Sequence, residues 1–184
     1  MRHDKLLSAE RCTLLVVDIQ DAFDAHIPEM ERIIERSKVM IKAAGLLEIP
    51  IVVTEQYPKG LGQTVRPLRK ALGECEYYDK ITFSCLQDEK IKKAITNHKR
   101  EQLLMVGIET HVCIAQTTYD AIAMGLRPYL AVDAVGSRRT KDNDVALERL
   151  RSEGCVLTTI EAAIMEMTVS SRHPKFREIS KLIK

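Results

Sequence analysis

The sequence predicts an α/β fold, a doubly wound (Rossmann-like), mostly parallel sheet of about six strands with helices on both faces. Two observations predict it. Short apolar runs rich in Val, Ile and Leu alternate along the chain with longer segments whose apolar residues recur at helical spacing. This alternation is typical of βαβ units, and strands that are apolar throughout are typical of a buried parallel sheet. We therefore expect a three-layer α/β/α arrangement formed by one domain, residues 1–184.

The first half of the chain contains one βαβ unit. Residues 13–19 (TLLVVDI) predict a buried strand with Asp18 near its carboxyl end. Apolar residues at helical spacing predict a helix over residues 30–47, and residues 51–54 (IVVT) predict the next strand. Prolines and glycines in residues 55–73 predict a long loop with one helical turn.

The second half continues the alternation, with Asp88 as the expected cap of a helix. Predicted strands cover residues 77–83, 103–106, 128–132 and 155–159, and predicted helices cover residues 88–98, 113–124, 141–153, 160–168 and 174–184. In doubly wound sheets, ligands bind beyond the carboxyl ends of the strands, where the strand order reverses. If the two halves wind in opposite directions, the strand ending at Asp18 lies beside the strand that leads to Cys113.

The amino-acid composition argues against several classes of protein. Lys and Arg number 28 against 26 Asp and Glu, so the formal charge of +2 does not indicate a polyanion-binding surface, and no nucleic-acid partner is expected. The five cysteines include no C-x-x-C pair, which argues against a disulfide framework or a zinc site. No apolar run approaches a membrane span of about 18 residues, and the first residues lack the apolar region of a signal peptide. We expect a cytoplasmic protein with no membrane partner.

Cys113 is a candidate nucleophile. It follows the apolar run 103–106, Gly107 and the short loop 108–111, in the expected first turn of a helix. Unpaired backbone N–H groups and the helix dipole favour a thiolate at that position. A small buried apolar residue at the start of a helix explains the same cysteine equally well.

Asp18 and Lys80 are candidate partners of Cys113. A thiol is activated by a base that takes its proton and by positive charge that lowers its pKa. Asp18 could act as the base and Lys80 as the charge, although Asp18 could also close a turn and Lys80 could be a solvated surface residue. His111 is the alternative base, but neighbours in a loop rarely face each other, so we prefer Asp18.

Several motifs together resemble the isochorismatase-like cysteine hydrolases. They are VVDIQ around Asp18, KITFSC beginning at Lys80, GIETHVC ending at Cys113, and the later TTYDAIAMG and DAVGSR. The resemblance covers about residues 13–168, nearly the whole chain. The segment TEQYPKGLGQT, residues 54–64, resembles the subgroup called isochorismatase domain-containing proteins.

The resemblance implies a catalytic triad of Asp18, Lys80 and Cys113. It also implies a non-proline cis peptide bond between Ile108 and Glu109, with the N–H groups of Glu109 and Cys113 forming an oxyanion hole. Glu109 would contribute either a second carboxylate or only its amide. The implied reaction is cleavage of a C–N bond of a small amide-type molecule through a thioester on Cys113.

Departures from the family pattern argue against two of the reactions known in the superfamily. Nicotinamidases of the superfamily bind a metal through an Asp-x-His…His cluster, but residues 54–64 contain neither Asp nor His. We therefore predict no metal and no other cofactor, and we do not expect nicotinamide as the substrate. True isochorismatases cleave a vinyl ether without a cysteine nucleophile, so Cys113 argues against that reaction.

The remaining expectations concern the pocket and the partners. The alternative to an enzyme is a catalytically idle family member that acts as an oligomeric interaction partner. We expect a homo-oligomer, a dimer or larger, with the apolar face of residues 174–184 as a candidate contact. The residues expected to line a small-molecule pocket are Gln20, Phe23, Tyr57, Leu61, Phe83, Glu109, Thr110 and Tyr119.

Overall fold

The structure, a computed structural model, describes residues 2–184. Six parallel strands form one sheet in the order β3-β2-β1-β4-β5-β6. The strands are β1 (Cys12–Val17), β2 (Ile51–Gln56), β3 (Tyr77–Lys80), β4 (Gln102–Ile108), β5 (Arg127–Gly136) and β6 (Val156–Thr158). The helices are α1 (Met30–Leu46), α2 (Pro58–Leu61), α3 (Arg66–Leu72), α4 (Glu89–Thr96), α5 (Ala115–Ala123), α6 (Thr140–Ser152), α7 (Ile160–Thr168) and α8 (Phe176–Leu182).

The strand order confirms the predicted doubly wound sheet. The chain runs outward from β1 to β3, returns to the middle at β4, and then runs outward to β6. The switch point therefore lies between β1 and β4, where Val17 pairs with Gly107. All six strands belong to one sheet, which supports the proposal that the chain is a single domain.

Helices cover both faces of the sheet, as predicted. One apolar cluster includes Leu14 and Val16 of β1 with side chains of α1, α7 and α8. The other includes Leu15 and Val17 of β1 with side chains of α4, α5 and α6. Successive residues of a strand point to opposite faces, so β1 contributes to both halves of the core. No helix within residues 2–184 is long and apolar enough to cross a membrane.

The segment 55–73 differs from the expected loop. Strand β2 continues to Gln56, and the two short helices α2 and α3 follow it. Pro58 and Pro67 lie in the first turns of these helices, where a missing N–H costs no hydrogen bond. The predicted helical turn is present as α2, but α3 was not predicted because Pro67 was treated as a loop signal.

The carboxyl-terminal tail packs on its own chain. Ile179 of α8 is fully buried in the core, and Leu182 and Ile183 pack partly buried against the same cluster. The apolar face that we expected to contact a second copy is therefore covered by α1. The homo-oligomer stays a prediction, without this surface as its basis.

Gly107 allows β1 and β4 to approach each other at the switch point. Its φ is +124°, and a Cβ atom there would lie 2.1 Å from the carbonyl oxygen of Val17. We expect Gly107→Ala to lower the free energy of unfolding by about 3 kcal/mol, because positive φ costs on the order of 1–3 kcal/mol and overpacking adds a similar amount. Urea denaturation measures the change.

Gly45→Ala is the matched control. Gly45 lies near the end of α1, and a Cβ atom there would meet nothing within 4 Å. Alanine favours a helix over glycine, so this variant should equal or exceed the wild type in stability. Equal losses in both variants would contradict the role of close strand approach at Gly107.

Candidate active site

The three candidate catalytic residues meet at the carboxyl edge of the sheet. Asp18 directly follows β1, Lys80 is the last residue of β3, and Cys113 lies in a π-helical turn, Thr110–Ile114, after β4. All three are buried. Lys80 Nζ donates to Asp18 Oδ2 at 2.7 Å and lies 3.6 Å from Cys113 Sγ. The predicted base, cation and thiol thus form one connected group.

Lys80 is held by more than Asp18. Strand β3 ends at Lys80, earlier than predicted, and the chain then bends so that the carbonyls of Thr82 and Phe83 lie 3.3 and 3.2 Å from Nζ. Gln56 Oε1 accepts from the same ammonium at 2.6 Å. Burial lowers the pKa of Lys80, but the Asp18 carboxylate raises it, and the balance lies above its ordinary value. Lys80 therefore stays an ammonium in the folded site.

Asp18 uses both carboxylate oxygens. Oδ1 accepts from the Thr54 hydroxyl at 2.7 Å, while Oδ2 accepts from Lys80. The backbone is in the left-handed region, with φ of 52°, and its N–H donates to the carbonyl of Thr54. Thr54 is fully buried at the carboxyl end of β2, so it fixes the orientation of the carboxylate from the neighbouring strand.

The surroundings of Cys113 favour the thiol over the thiolate. Burial raises the pKa of Cys113 above its ordinary value, the Asp18 carboxylate raises it further, and the Lys80 ammonium opposes both. The expectation that the start of a helix favours a thiolate is therefore outweighed here. A base must remove the proton when the sulfur attacks, and Asp18 is the carboxylate in position to do so.

Glu109 has distinct contacts through its backbone and its side chain. Its peptide bond with Ile108 is cis, as the resemblance implies. Its carbonyl accepts from the backbone N–H groups of Val112 and Ile114 at 3.0 and 3.3 Å. Its buried carboxylate accepts from the backbone N–H and from Nε of Arg138, both at 3.0 Å.

His111 turns away from Asp18, Lys80 and Cys113. Its Nδ1 lies 2.9 Å from Ser137 Oγ, and its Nε2 lies 4.0 Å from Asp142 of α6. These contacts support Asp18 over His111 as the base for Cys113.

A cavity of about 350 Å³ opens beside Cys113. Four of the expected pocket residues line it, namely Phe23, Leu61, Phe83 and Glu109. The lining residues outside the expected pocket set are Asp18, Gln56, Ile108, Val112, Cys113 and Arg138. Half of the ten lining side chains are hydrocarbon, and Asp18 and Cys113 lie on the wall of the cavity.

Gln20 and Tyr57 do not line the cavity, contrary to expectation. Gln20 is fully buried, and its side chain donates to the carbonyls of Gln56 and Gly62 and accepts from the N–H of Gln56. It therefore fixes the segment between β2 and α3. Tyr57 is 54% exposed, and its ring lies over Gly60.

Thr110 and Tyr119 also lie outside the lining of the cavity. Thr110 is fully buried, and its hydroxyl has no partner within residues 2–184. Tyr119 lies on α5, where its ring packs near the guanidinium of Arg149 at 5.7 Å. Helical spacing alone did not show which face of α5 points toward the site.

Three residues with contacts in the site were missed in the sequence. Thr54 and Gln56 are polar residues at the carboxyl end of an otherwise apolar strand, which is the position where ligands bind in such sheets. Arg138 lies in the DAVGSR motif just after β5, at the same edge. All three could have been predicted as site residues from their positions at the carboxyl ends of strands.

A metal site is not evident in the described part of the chain. No group of three or more His, Cys, Asp or Glu side chains in residues 2–184 is arranged to hold a metal ion. The absence of a metal cofactor stays a prediction.

The sequence profile of the isochorismatase domain matches residues 12–162, most of the chain. The chain belongs to the isochorismatase family. Among curated relatives, isochorismatase domain-containing protein 2 of Bos taurus is 39% identical over 93% of this chain and 82% of its own length. A secreted isochorismatase effector of Phytophthora sojae is 38% identical over 93% of this chain and 83% of its own length.

Solved structures of the isochorismatase family have the same fold. A structure described as MAR1 ribonuclease from Caenorhabditis elegans superposes with a TM-score of 0.91 at 41% sequence identity. The match covers 97% of this chain and 92% of that one. The Bos taurus relative has the name of the subgroup that residues 54–64 resemble.

Proposed function

We propose that this isochorismatase-family protein is a metal-independent cysteine hydrolase that cleaves the C–N bond of a small amide through a thioester. One observation carries the proposal. The Lys80 ammonium lies 2.7 Å from the Asp18 carboxylate and 3.6 Å from the Cys113 thiol, and the group faces a small cavity. A nucleophile, a base and a fixed positive charge within hydrogen-bond reach are what acyl transfer requires.

The first half-reaction forms the thioester. Asp18 takes the proton of Cys113 as Sγ attacks the amide carbon, and the carbonyl π electrons move to the oxygen. The N–H groups of Glu109 and Cys113 stabilise this oxyanion. When the C=O bond re-forms, the C–N bond breaks, and the proton on Asp18 passes to the leaving nitrogen.

The second half-reaction releases the acid. Asp18, again a carboxylate, removes a proton from a water molecule that attacks the thioester carbon. The C–S bond breaks, and the sulfur recovers a proton from Asp18. Lys80 keeps its charge throughout and orients Asp18, since its pKa lies above the ordinary value.

A screen for ammonia release over small primary amides tests the proposal. The wild type should release ammonia from at least one amide, while Cys113→Ala, incubated under the same conditions, supplies the blank. Ammonia release at equal rates from both proteins would refute the thioester mechanism.

A ribonuclease is the second candidate, because the Caenorhabditis elegans structure at 41% identity carries that name. The formal charge of +2 provides little general attraction for a polyanion. Under our proposal, purified wild type does not cleave single-stranded RNA. Cleavage that persists in Cys113→Ala would favour the ribonuclease.

An idle interaction partner is the third candidate. If no amide is hydrolysed and Cys113→Ala retains every partner contact of the wild type, this alternative is favoured.

The cytoplasmic location stays a prediction, and the Phytophthora sojae relative is described as secreted.

A further inference from the structure

We propose that the substrate is an uncharged amide whose acyl group is apolar and packs against Phe23, Leu61 and Phe83. This inference rests on the proposed function, because it names the substrate class for the same site. Two features of the cavity support the inference. Its charged groups are paired with each other, and much of its wall is formed by apolar side chains.

The ionised groups deep in the site are already paired. An ammonium has three N–H donors, and Lys80 Nζ has Asp18, Gln56 and the carbonyls of Thr82 and Phe83 as close partners. Both oxygens of Asp18 accept hydrogen bonds as well. Lys80 and Asp18 thus neutralise each other and leave no free charge for a charged substrate, and a buried unpaired charge is strongly unfavourable.

Arg138 does not change this balance. Its Nε is bound to the Glu109 carboxylate at 3.0 Å, so its charge is compensated by a buried neighbour. The Arg138 side chain is 59% exposed, so a carboxylate that met its guanidinium would remain largely solvated. Ion pairs in such surroundings contribute little to affinity.

The walls of the cavity are carbon-rich. Half of the ten lining side chains are hydrocarbon, namely Phe23, Leu61, Phe83, Ile108 and Val112. Phe83 is 53% exposed although it lies on the cavity. An exposed large apolar side chain beside a concave site is typical of a surface that a ligand covers.

Chain length should therefore determine the rate. Burial of one methylene group improves binding by about fourfold. Acetamide and hexanamide differ by four methylenes, so kcat/KM should rise on the order of 100-fold from the first to the second. Glutaramate has a similar length but ends in a carboxylate, and it should be hydrolysed no faster than acetamide.

Two variants test whether the apolar wall of the cavity contacts the acyl chain of the substrate. Phe83→Ala should reduce the ratio of kcat/KM for hexanamide over acetamide by about tenfold, because apolar contact area is lost. Ile81→Ala is the matched control, since Ile81 is 81% exposed and lies outside the lining of the cavity. It should leave the ratio as in the wild type. A folded Phe83→Ala protein with the wild-type ratio would overturn the inference.

Ligand binding to the Cys113→Ala variant tests this inference independently of the proposed catalytic activity. Saturation-transfer NMR with Cys113→Ala should show binding of hexanamide and none of glutaramate. That result supports the inference even if the wild type hydrolyses no amide. Hydrolysis without a chain-length preference, or a preference for glutaramate, overturns the inference while leaving the cysteine hydrolase intact.

Discussion

Cys113→Ala is expected to lower the turnover of any amide substrate by about 10⁴-fold or more, because removal of a covalent nucleophile abolishes the thioester route. The Cys113 sulfur lies 3.6 Å from the Lys80 ammonium and lines the cavity. Steady-state kinetics measure the loss. Mass spectrometry after acid quench should show an acyl group on Cys113 in the wild type and none in the variant.

Cys155→Ala is the matched control for the loss of a buried thiol. Cys155 lies in the same apolar cluster as Cys113 but does not line the cavity. Its removal should change turnover by no more than a few fold. If Cys113→Ala kept a tenth of the wild-type rate, the sulfur could not be the nucleophile.

Lys80→Met is expected to lower the free energy of unfolding by about 3–5 kcal/mol, because it leaves a buried carboxylate without its cation. The side chains of Lys80 and Asp18 are almost completely buried, and their charged atoms are 2.7 Å apart. The double variant Lys80→Met/Asp18→Asn removes both charges and should recover much of this loss. Denaturant unfolding of the two single variants and the double variant gives the coupling energy.

The exposed pair Lys92 and Glu89, 3.4 Å apart, is the control for this experiment. Lys92→Met should change stability little, since exposed pairs contribute little. Additive effects of Lys80→Met and Asp18→Asn would contradict the coupling of the buried pair.

The contribution of Lys80 should also depend on pH. The pKa of Lys80 is raised in the folded protein, so the folded state binds this proton more tightly than the unfolded state. The stabilisation is fully present below the ordinary value of 10.5 and is lost as the pH rises through the folded pKa. The stability difference between wild type and Lys80→Met should therefore shrink above pH 10.5.

Much of the fold could be predicted because apolar runs are strong signals. The runs around Leu14 and Leu104 became the adjacent central strands, and the switch-point rule then brought Asp18 close to Cys113. Lys80 was different, because its strand is short and lies at the sheet edge, where the pattern is weak. The chemistry of the residues suggested Lys80 as the charged partner but left open a solvated surface position, and the family motif then implied its place in the triad.

Orientation within an element was the least predictable property. Gln20 and Phe23 are three residues apart after β1, yet the first ties backbone segments together and the second lines the cavity. Tyr119 faces Arg149 instead of the site. Such differences depend on tertiary contacts, which local spacing does not encode.

The hydrogen bonds of Gln20 have a consequence for attempts to redesign specificity. Gln20 binds Gln56 and Gly62, and Gln56 in turn binds the Lys80 ammonium, so hydrogen bonds link the segment that follows α2 to Lys80. Insertions in α2 would remodel the pocket wall but would also displace Lys80. Phe83 contacts Lys80 through its backbone carbonyl, so a change of its side chain keeps this contact with Lys80. New substrate ranges should therefore be sought by diversifying Phe83 and Phe23, while the length and sequence of α2 are left unchanged.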